Sequence, residues 1–178
     1  LVMAGGVLFN FILAIAVYSG ILAKWGENYI SNEGNAIYVN ELAYDMGFRS
    51  GDRILMFDDY VPENFGMLQA DLARQSVKKA TVLRGGDTLN IYIDQNRIGE
   101  ILQNPGMFDL AVPFIVAEVS ETSPNKALDI QAGDRIVNIA GTETEFLQDA
   151  RPILLEHAGD TVATTLTRGT DSLALTVQ

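Results

Sequence analysis

The tetrapeptide Gly51-Asp52-Arg53-Ile54 occurs a second time in this chain, as Gly133-Asp134-Arg135-Ile136. An apolar residue, Phe48 in one case and Ile130 in the other, precedes each copy at the same distance. Gly-Asp is a common turn sequence, so a single repeated tetrapeptide could arise by chance. A second repeated block in the same order would indicate duplication.

That second block follows each tetrapeptide at nearly the same spacing. Leu83-Arg84-Gly85-Gly86-Asp87-Thr88-Leu89-Asn90-Ile91-Tyr92-Ile93 resembles Thr167-Arg168-Gly169-Thr170-Asp171-Ser172-Leu173-Ala174-Leu175-Thr176-Val177 when Arg84 is aligned with Arg168. Two matching blocks in one order predict an internal duplication. We therefore predict three segments: a helix over residues 1–24, one domain over residues 25–95 and a related domain over residues 96–178.

Each copy is predicted to be a small α+β unit, rich in strands and capped by two helices. For the first copy the patterns predict strands at 37–41, 53–57, 80–83 and 89–93, with helices at 43–46 and 65–74. For the second copy they predict strands at 112–119, 135–139, 162–167 and 173–177, and a short helix at 124–128. A longer helix carries the apolar residues of 146–154, and its regular part is expected to begin near Pro152.

The N-terminal segment differs sharply from the rest of the chain. From Leu1 to Ala23 no residue is charged, and a helix of this length crosses a hydrocarbon core of about 30 Å. We predict a membrane-spanning helix. A secretory signal peptide is the alternative, but the basic start, the shorter apolar region and the cleavage site of such a peptide are missing. Because the chain opens in apolar sequence without Met, we expect it to be a fragment of a longer protein.

Composition limits the chemistry that this chain can perform. The net charge of −11 lies beyond residue 23 and argues against nucleic acid or anionic lipid headgroups as partners. The absence of Cys removes disulfides, thiolate nucleophiles and thiolate metal sites. The single His, His157, cannot form a zinc site of the His-Glu-x-x-His type, and it suits the C-terminal end of a helix instead. We expect no catalytic residue, metal or cofactor in this fragment.

The order of strand, short helix, Gly-Asp-Arg-Ile, longer helix and hairpin resembles the PDZ domain in its bacterial, circularly permuted form. The resemblance implies an N-terminal transmembrane α-helix followed by two α+β, circularly permuted PDZ-like domains. A PDZ domain binds a peptide as an added strand, in a groove between an edge strand and the longer helix. For the second copy it implies a peptide-binding loop and helix face formed by Ile98, Gly99, Ile101, Phe146, Ala150 and Ile153. Glu100 departs from the loop pattern and would repel a peptide carboxylate.

The segment Gly6-Val7-Leu8-Phe9-Asn10-Phe11 resembles the Gly-x-x-x-Asn-Phe stretch of the second transmembrane helix of site-2 proteases, above all the bacterial regulator of sigma-E protease. Val7 stands where many relatives have Pro. That family has a zinc-binding His-Glu-x-x-His on its first transmembrane helix and two PDZ domains after the second. The resemblance implies that Gly6 and Asn10 lie near the active site, where Asn10 helps to hold the substrate. A structural role for Asn10 in helix packing is the alternative.

The resemblance implies that the parent protein is a zinc metalloendopeptidase that cleaves transmembrane segments in regulated intramembrane proteolysis. Zinc would be held by helices outside this chain, and the PDZ tandem would screen substrates. The implied partners are a membrane-protein substrate such as an anti-sigma factor, the lipid bilayer and neighbouring helices of the same protein. The implied location is the bacterial inner (cytoplasmic) membrane, with the PDZ domains in the periplasm.

Two other classes of protein share parts of this pattern. One is a non-enzymatic membrane-anchored PDZ scaffold or secretion component, and a His-Glu-x-x-His upstream of the chain would exclude it. The other is the PDZ tail of a serine protease of the high-temperature-requirement type. It fits less well, because a spanning helix should not lead directly into that tail.

Overall fold

A computed structural model describes residues 2–26 and 28–178 of the chain. Leu1 of the predicted helix and Glu27 of the predicted first domain lie outside the described residues. Helix α1 spans Val2–Trp25, and its part from Gly5 to Trp25 has a mean hydropathy of 2.1 and is not buried against the rest of the chain. By length and composition α1 could cross a membrane. The predicted N-terminal apolar helix is therefore confirmed.

Helix α1 ends at a glycine in the left-handed region. Gly26 has a φ of 69°, and its N–H donates to the carbonyl of Leu22 at 2.8 Å. This contact satisfies a carbonyl that the helix end would otherwise leave unpaired, and it turns the chain away from the helix axis.

The first half, which we define as residues 28–111, is built on a three-stranded antiparallel sheet in the order β2-β3-β4. These strands span Arg53–Phe57, Lys79–Arg84 and Asp87–Tyr92. Alternate side chains point inward, so Ile54, Ala80 and Val82 are buried. The β-rich character predicted for this part of the chain is confirmed.

Two helices complete the core of the first half. Helix α2 spans Glu41–Asp45 and is capped by Asn40, whose side-chain oxygen accepts the N–H of Ala43 at 3.0 Å. Helix α3 spans Leu68–Arg74 and follows a 3-10 turn at Phe65–Met67. Leu68 and Leu72 lie one turn apart on α3 and are fully buried against the sheet.

The chain after β4 also packs on the first half. Helix α4 spans Ile98–Gln103, and strand β5 spans Phe108–Leu110. Ile101 and Met107 are fully buried in the core of the first half. The predicted division at residue 95 stays a prediction, but this packing leads us to propose a division after residue 111.

Strand β5 does not join the three-stranded sheet. It pairs antiparallel with β1, which spans Ile37–Val39, and Tyr38 lies opposite Asp109. The sequence patterns predicted β1 but neither β5 nor α4. Strand β5 thus lies at the point where the two halves meet.

The second half, residues 112–178, contains a four-stranded antiparallel sheet in the order β7-β6-β8-β9 and one longer helix, α5. Their bounds are Arg135–Ile139 for β6, Thr142–Glu143 for β7, Leu147–Glu156 for α5, Val162–Arg168 for β8 and Asp171–Val177 for β9. The core is small and centres on Ile139, Ala150 and Val162. A 3-10 turn at Pro124–Ala127 takes the place of the predicted short helix.

Two predictions for the second half are wrong. Helix α5 begins at Leu147 and includes Pro152, whereas its regular part was expected to begin near Pro152. The predicted strand at 112–119 forms only isolated bridges, at Pro113 and Ile115. Pro113 has no N–H to donate to a ladder. In the first half β1 has β5 as its partner strand, but no described strand lies beside residues 112–119 in the same way.

The hydrogen bonds of the two halves recur at equivalent positions. The Arg84 guanidinium donates to both carboxylate oxygens of Asp52, at 2.6 and 2.7 Å, and to the carbonyl of Gly47 at 2.9 Å. In the second half Arg168 donates in the same way to Asp134, at 2.7 and 2.9 Å, and to the carbonyl of Asp129 at 3.0 Å. Bidentate pairs of this kind fix both distance and orientation.

Further equivalent positions support the duplication. The pairing of β2 with β3 shifts register between Ile54 and Met56, and that of β6 with β8 shifts between Ile136 and Asn138. Asp58 and Ala140, the first residues after β2 and β6, both adopt a positive φ, of 49° and 51°. The Gly-Asp-Arg-Ile motif is therefore a structural element, in which the Asp anchors a turn to the arginine of the next hairpin.

Hydrogen bonds keep Asp134 ionised although its side chain is buried, because burial alone would raise the pKa of a carboxyl. Asp134 is fully buried, and the hydrogen bonds from Arg168, together with the N–H of Gln131, lower the pKa of its carboxyl from 3.8 to about 2. In the first half the hydrogen bonds with Asp52 raise the pKa of the Arg84 guanidinium above its usual value.

Candidate peptide-binding groove

The two faces of α5 differ in exposure. Ala150 is fully buried and Phe146, just before the helix, is almost so, while Ile153 packs against the core of the second half. These are the three helix residues that the sequence implied for peptide binding, and their binding role stays a prediction. Because their side chains point inward, a peptide on the surface of α5 would instead meet the opposite face.

That opposite face borders a cavity of about 430 Å³. It lies between α5 and the chain at β5, and its lining residues are Asp109, Leu110, Val112, Leu147, Gln148, Arg151, Leu154 and Leu155. The walls are mainly aliphatic, with one acidic and one basic side chain. Concave apolar surfaces with a few polar groups are typical ligand sites. We call this cavity the α5 groove.

Gln148 occupies the strand side of the α5 groove. Its side-chain amide donates to the carbonyl of Leu110, and its side-chain oxygen accepts the N–H of Val112 at 3.3 Å. The N–H of Leu147 donates to the carbonyl of Val112 at 2.8 Å. The backbone groups that an added peptide strand would use at residues 110 and 112 are thus already bonded to α5. A peptide strand would have to displace Gln148.

The corresponding face of α3 in the first half is covered. The side chain of Gln69 donates to the carbonyls of Ile101 and Asn104, at 2.6 and 2.8 Å. Its oxygen accepts the N–H groups of Gly106 and Met107, at 3.1 and 3.0 Å. The segment at 98–107 is therefore held over α3, whereas no described residue holds an equivalent cover over α5.

This packing decides the place of the predicted peptide-binding loop. Ile98, Gly99 and Ile101 were expected in a loop of the second copy, but they lie in helix α4 on the first half, so that prediction is wrong about the local structure. Ile98 and Ile101 are apolar residues three positions apart, a spacing typical of a helix, and this pattern could have indicated α4. Glu100 pairs with Arg97, one turn away, at 2.8 Å. A role of these residues in binding peptide stays a prediction.

Gly6 and Asn10 lie on exposed surface of α1, in the region that would face other helices or lipid. A Cβ added at Gly6 would meet no atom within 4 Å. Packing of α1 on other described residues therefore gives no reason for a glycine at position 6 or an asparagine at position 10. Their implied position near an active site stays a prediction.

The donor set of the chain does not fit a zinc site. Within residues 2–26 and 28–178 no three His, Asp or Glu side chains are grouped so that they could hold a metal ion. The single His, His157, is the C-cap of α5 and lies 3.9 Å from the carboxylate of Asp160. Zinc prefers nitrogen and sulfur ligands, and the sequence supplies one His and no Cys.

A cluster of three residues connects the two halves beside the α5 groove. The hydroxyl of Tyr38 on β1 donates to one oxygen of Asp149 at 2.9 Å. The other oxygen of Asp149 accepts the N–H of Phe146 at 2.9 Å at the start of α5. The rings of Tyr38 and Phe146 meet edge to face, with centroids 6.0 Å apart. Asp149 thus links the start of α5 to β1.

This contact predicts a dependence on alkaline pH. Burial of the hydroxyl is the larger cause and the hydrogen bond to Asp149 the next, and together they raise the pKa of Tyr38 from 10.0 to about 12. A raised pKa means that the folded chain favours the protonated hydroxyl, so its stabilising effect is complete below pH 10 and is lost as the pH approaches 12. We expect Tyr38→Phe to lower the free energy of unfolding by about 1 kcal/mol at neutral pH.

Chemical denaturation of the chain and of Tyr38→Phe, repeated from neutral pH to pH 12, would measure this difference. The two stabilities should become equal above pH 10 and their order should reverse by pH 12, because Tyr38 ionises at a lower pH in the unfolded chain than in the folded chain. A difference that persisted unchanged above pH 12 would contradict the assignment to Tyr38 ionisation. Tyr92→Phe, at an exposed position on β4, is the matched control and should show no such change.

Comparison with known proteins gives a distant relative. No family model matches the chain. It is 26% identical over 121 residues to a protein of Clostridium perfringens (strain 13 / Type A) named "Putative zinc metalloprotease CPE1693". The aligned region covers 66% of this chain and 34% of that protein. The chain thus spans about a third of the length of the relative.

Proposed function

We propose that this chain is the substrate-screening, PDZ-like part of an intramembrane zinc metalloprotease of the site-2 type, which cleaves transmembrane segments of other proteins. Three observations support the proposal: the apolar helix α1, the duplicated β-rich halves directly after it, and the similarity to a protein named as a zinc metalloprotease. The proposal rests mainly on one observation, that an apolar helix is followed directly by two similar β-rich halves. Catalytic zinc would be bound by parts of the protein outside this chain.

The α5 groove is the part of the chain best suited to contact a substrate. It is apolar and open, while the equivalent face of α3 is covered by residues 98–107. In this proposal an extended segment of a membrane-protein substrate, such as an anti-sigma factor, enters the α5 groove. Substrates with a large extramembrane part are excluded by size, so rejection contributes as much to selectivity as binding.

The location follows from the same proposal. Helix α1 would span the bacterial inner membrane, with both halves in the periplasm. Neighbouring helices of the same protein would contact α1 through Gly6 and Asn10, because small residues allow close approach and an amide inside the bilayer requires a hydrogen-bonding partner.

Deleting residues 36–178 from the full-length protein tests the screening function. Without the two halves, substrates that have not been trimmed should be cleaved, since nothing then excludes their extramembrane part. Cleavage of trimmed and untrimmed forms of one substrate, compared in membranes by gel mobility, would measure the selectivity. The matched control is cleavage of the trimmed form, which both proteins should perform.

Unchanged selectivity after the deletion would contradict the screening function. A membrane-anchored PDZ scaffold or secretion component is the second candidate, and the absence of a metal-binding group within the described residues is compatible with it. Loss of proteolysis on mutating a His-Glu-x-x-His in the full-length protein would exclude the scaffold.

A further inference from the structure

An exposed apolar surface lies directly after α1. Trp25, Tyr29, Ile30, Leu55 and Val61 are each exposed over 38–63% of their surface. We call these five residues the juxtamembrane patch. Single exposed apolar residues are common, but a continuous group usually marks a contact surface.

Three members of the patch on the first half adjoin one another, whereas Ile30 borders a neighbouring cavity. Tyr29, Leu55 and Val61 line one cavity of about 590 Å³ on the outer face of β2. Leu55 points outward because its neighbour Ile54 is buried in the core, and successive strand residues alternate between faces. The patch is therefore fixed to the sheet and does not depend on a flexible side chain alone.

Chain length keeps the patch close to the end of α1. Three residues lie between Trp25 and Tyr29, so their Cα atoms are four positions and at most about 14 Å apart. The polar layer of each leaflet is about 5–8 Å thick. If α1 spans the bilayer with Trp25 at its boundary, Tyr29 lies within or just beyond the headgroups. The turn at Gly26 bends the chain and shortens this reach.

The residue types of the patch also suit this depth. Trp and Tyr are enriched at membrane interfaces, where an apolar ring and a polar tip meet two environments. The ammonium group of Lys24 lies 4.6 Å from the centroid of the Trp25 ring. Two acidic residues and one basic residue, Glu33, Glu63 and Arg53, border the cavity, and their net negative charge favours zwitterionic over anionic headgroups.

We propose that the juxtamembrane patch lies in the headgroup layer of a zwitterionic bilayer and holds the first half against the membrane surface. This inference rests on the proposed insertion of α1 but goes beyond the screening function, because it requires no peptide. Its consequence is that the first half cannot rotate freely about the end of α1.

Site-directed spin labelling tests the contact, because the chain has no Cys and each introduced Cys is unique. A nitroxide at Val61→Cys in the whole chain, reconstituted in phosphatidylcholine bilayers, reports collisions with oxygen, which enters lipid, and with a nickel chelate, which stays in water. Leu102→Cys on α4 is the matched control, since Leu102 is also exposed but lies on the helix that covers α3. Ile12→Cys, in the middle of α1, reports insertion.

We expect the ratio of oxygen to nickel collisions at Val61 to exceed that at Leu102 by several-fold and to stay below that at Ile12. Equal ratios at Val61 and Leu102, with Ile12 in lipid, would overturn the patch contact but not the insertion of α1. An Ile12 label in water would overturn both.

A second variant and the full-length protein complete the test. Leu55→Asp should bring the ratio at Val61 down to that of Leu102, because a carboxylate is costly to place near the acyl boundary. In the full-length protein the Val61 label should keep its lipid signature. Low collision rates with both reagents there would mean that another protein segment covers the patch, and would refute the lipid contact.

Discussion

Replacing Arg84 with alanine is expected to destabilise the first half by about 3–5 kcal/mol, because it leaves the buried carboxylate of Asp52 without its charged partner. Asp52 is fully buried, and Arg84 supplies two of its hydrogen bonds, at 2.6 and 2.7 Å. The remaining donor is the N–H of Arg49 at 2.9 Å. Hydrogen exchange of the amides in β2 and β3 would measure the loss as a free energy of opening.

The matched control is Arg74→Ala, at an exposed arginine on α3. Its effect should stay within about 0.5 kcal/mol. A double variant, Asp52→Asn with Arg84→Met, should recover part of the lost stability, since the amide carries no charge and its oxygen can still accept the N–H of Arg49. The structural role of Gly-Asp-Arg-Ile would be refuted if Arg84→Ala cost no more than Arg74→Ala.

Local signals in the sequence were enough to locate most elements of the two sheets. The strand at 53–57 has its predicted bounds, and the helix at 65–74 appears as a 3-10 turn continued by α3. Gly85 and Gly169 lie in the short turns that join the last two strands of each half, where glycine is expected, and both adopt a positive φ. Such features depend on residues close together in the chain, so their patterns predict them well.

The elements at 98–110 could not be predicted in the same way. Strand β5 has three residues and forms because β1, about seventy positions earlier, offers it an edge. Helix α4 has six residues, too few to be stable alone, and it is held by the burial of Ile101 and by Gln69. The sequence patterns therefore gave no sign that this segment packs on the first half, since only long-range packing determines its place.

The same limit applies to the candidate site. The apolar stripe of Phe146, Ala150 and Ile153 identified a real amphipathic helix, but the stripe is the inward face, as its apolar character requires. The groove on the other side is lined by Leu154, which the predicted stripe also contained, and by Leu155, and both are exposed because no described residue covers that face of α5. A sequence pattern cannot distinguish an uncovered apolar residue from a buried one.

The two halves differ in one respect that bears on function. Gln69 and Gln148 both use their side-chain amides to hold backbone beside a helix, but Gln69 holds a segment that covers its helix and Gln148 holds only the edge of β5. Duplication has therefore left one helix face closed and one open. Under the proposed screening function, selectivity for a peptide would therefore lie in the second half.

Replacing Leu154 with aspartate should weaken peptide binding by at least about tenfold, which corresponds to about 1.4 kcal/mol. The carboxylate would lie on the apolar wall of the α5 groove and would lose hydration when a peptide covers it. Gln148→Ala should have the opposite effect, because it frees the carbonyl of Leu110 and the N–H of Val112 for an added strand. The two variants should therefore change the affinity of the α5 groove for peptide in opposite directions.

Both variants can be measured with the whole chain in detergent and a displayed library of ten-residue peptides with free C-termini, scored by enrichment and then by the Kd of the best peptide. Leu102→Asp, at an exposed apolar residue of α4, is the matched control and should leave the Kd unchanged. Far-ultraviolet circular dichroism would verify that each variant folds. If Leu154→Asp and Leu102→Asp weakened binding equally, the α5 groove would not be the peptide site, because a general effect of added negative charge would then explain both.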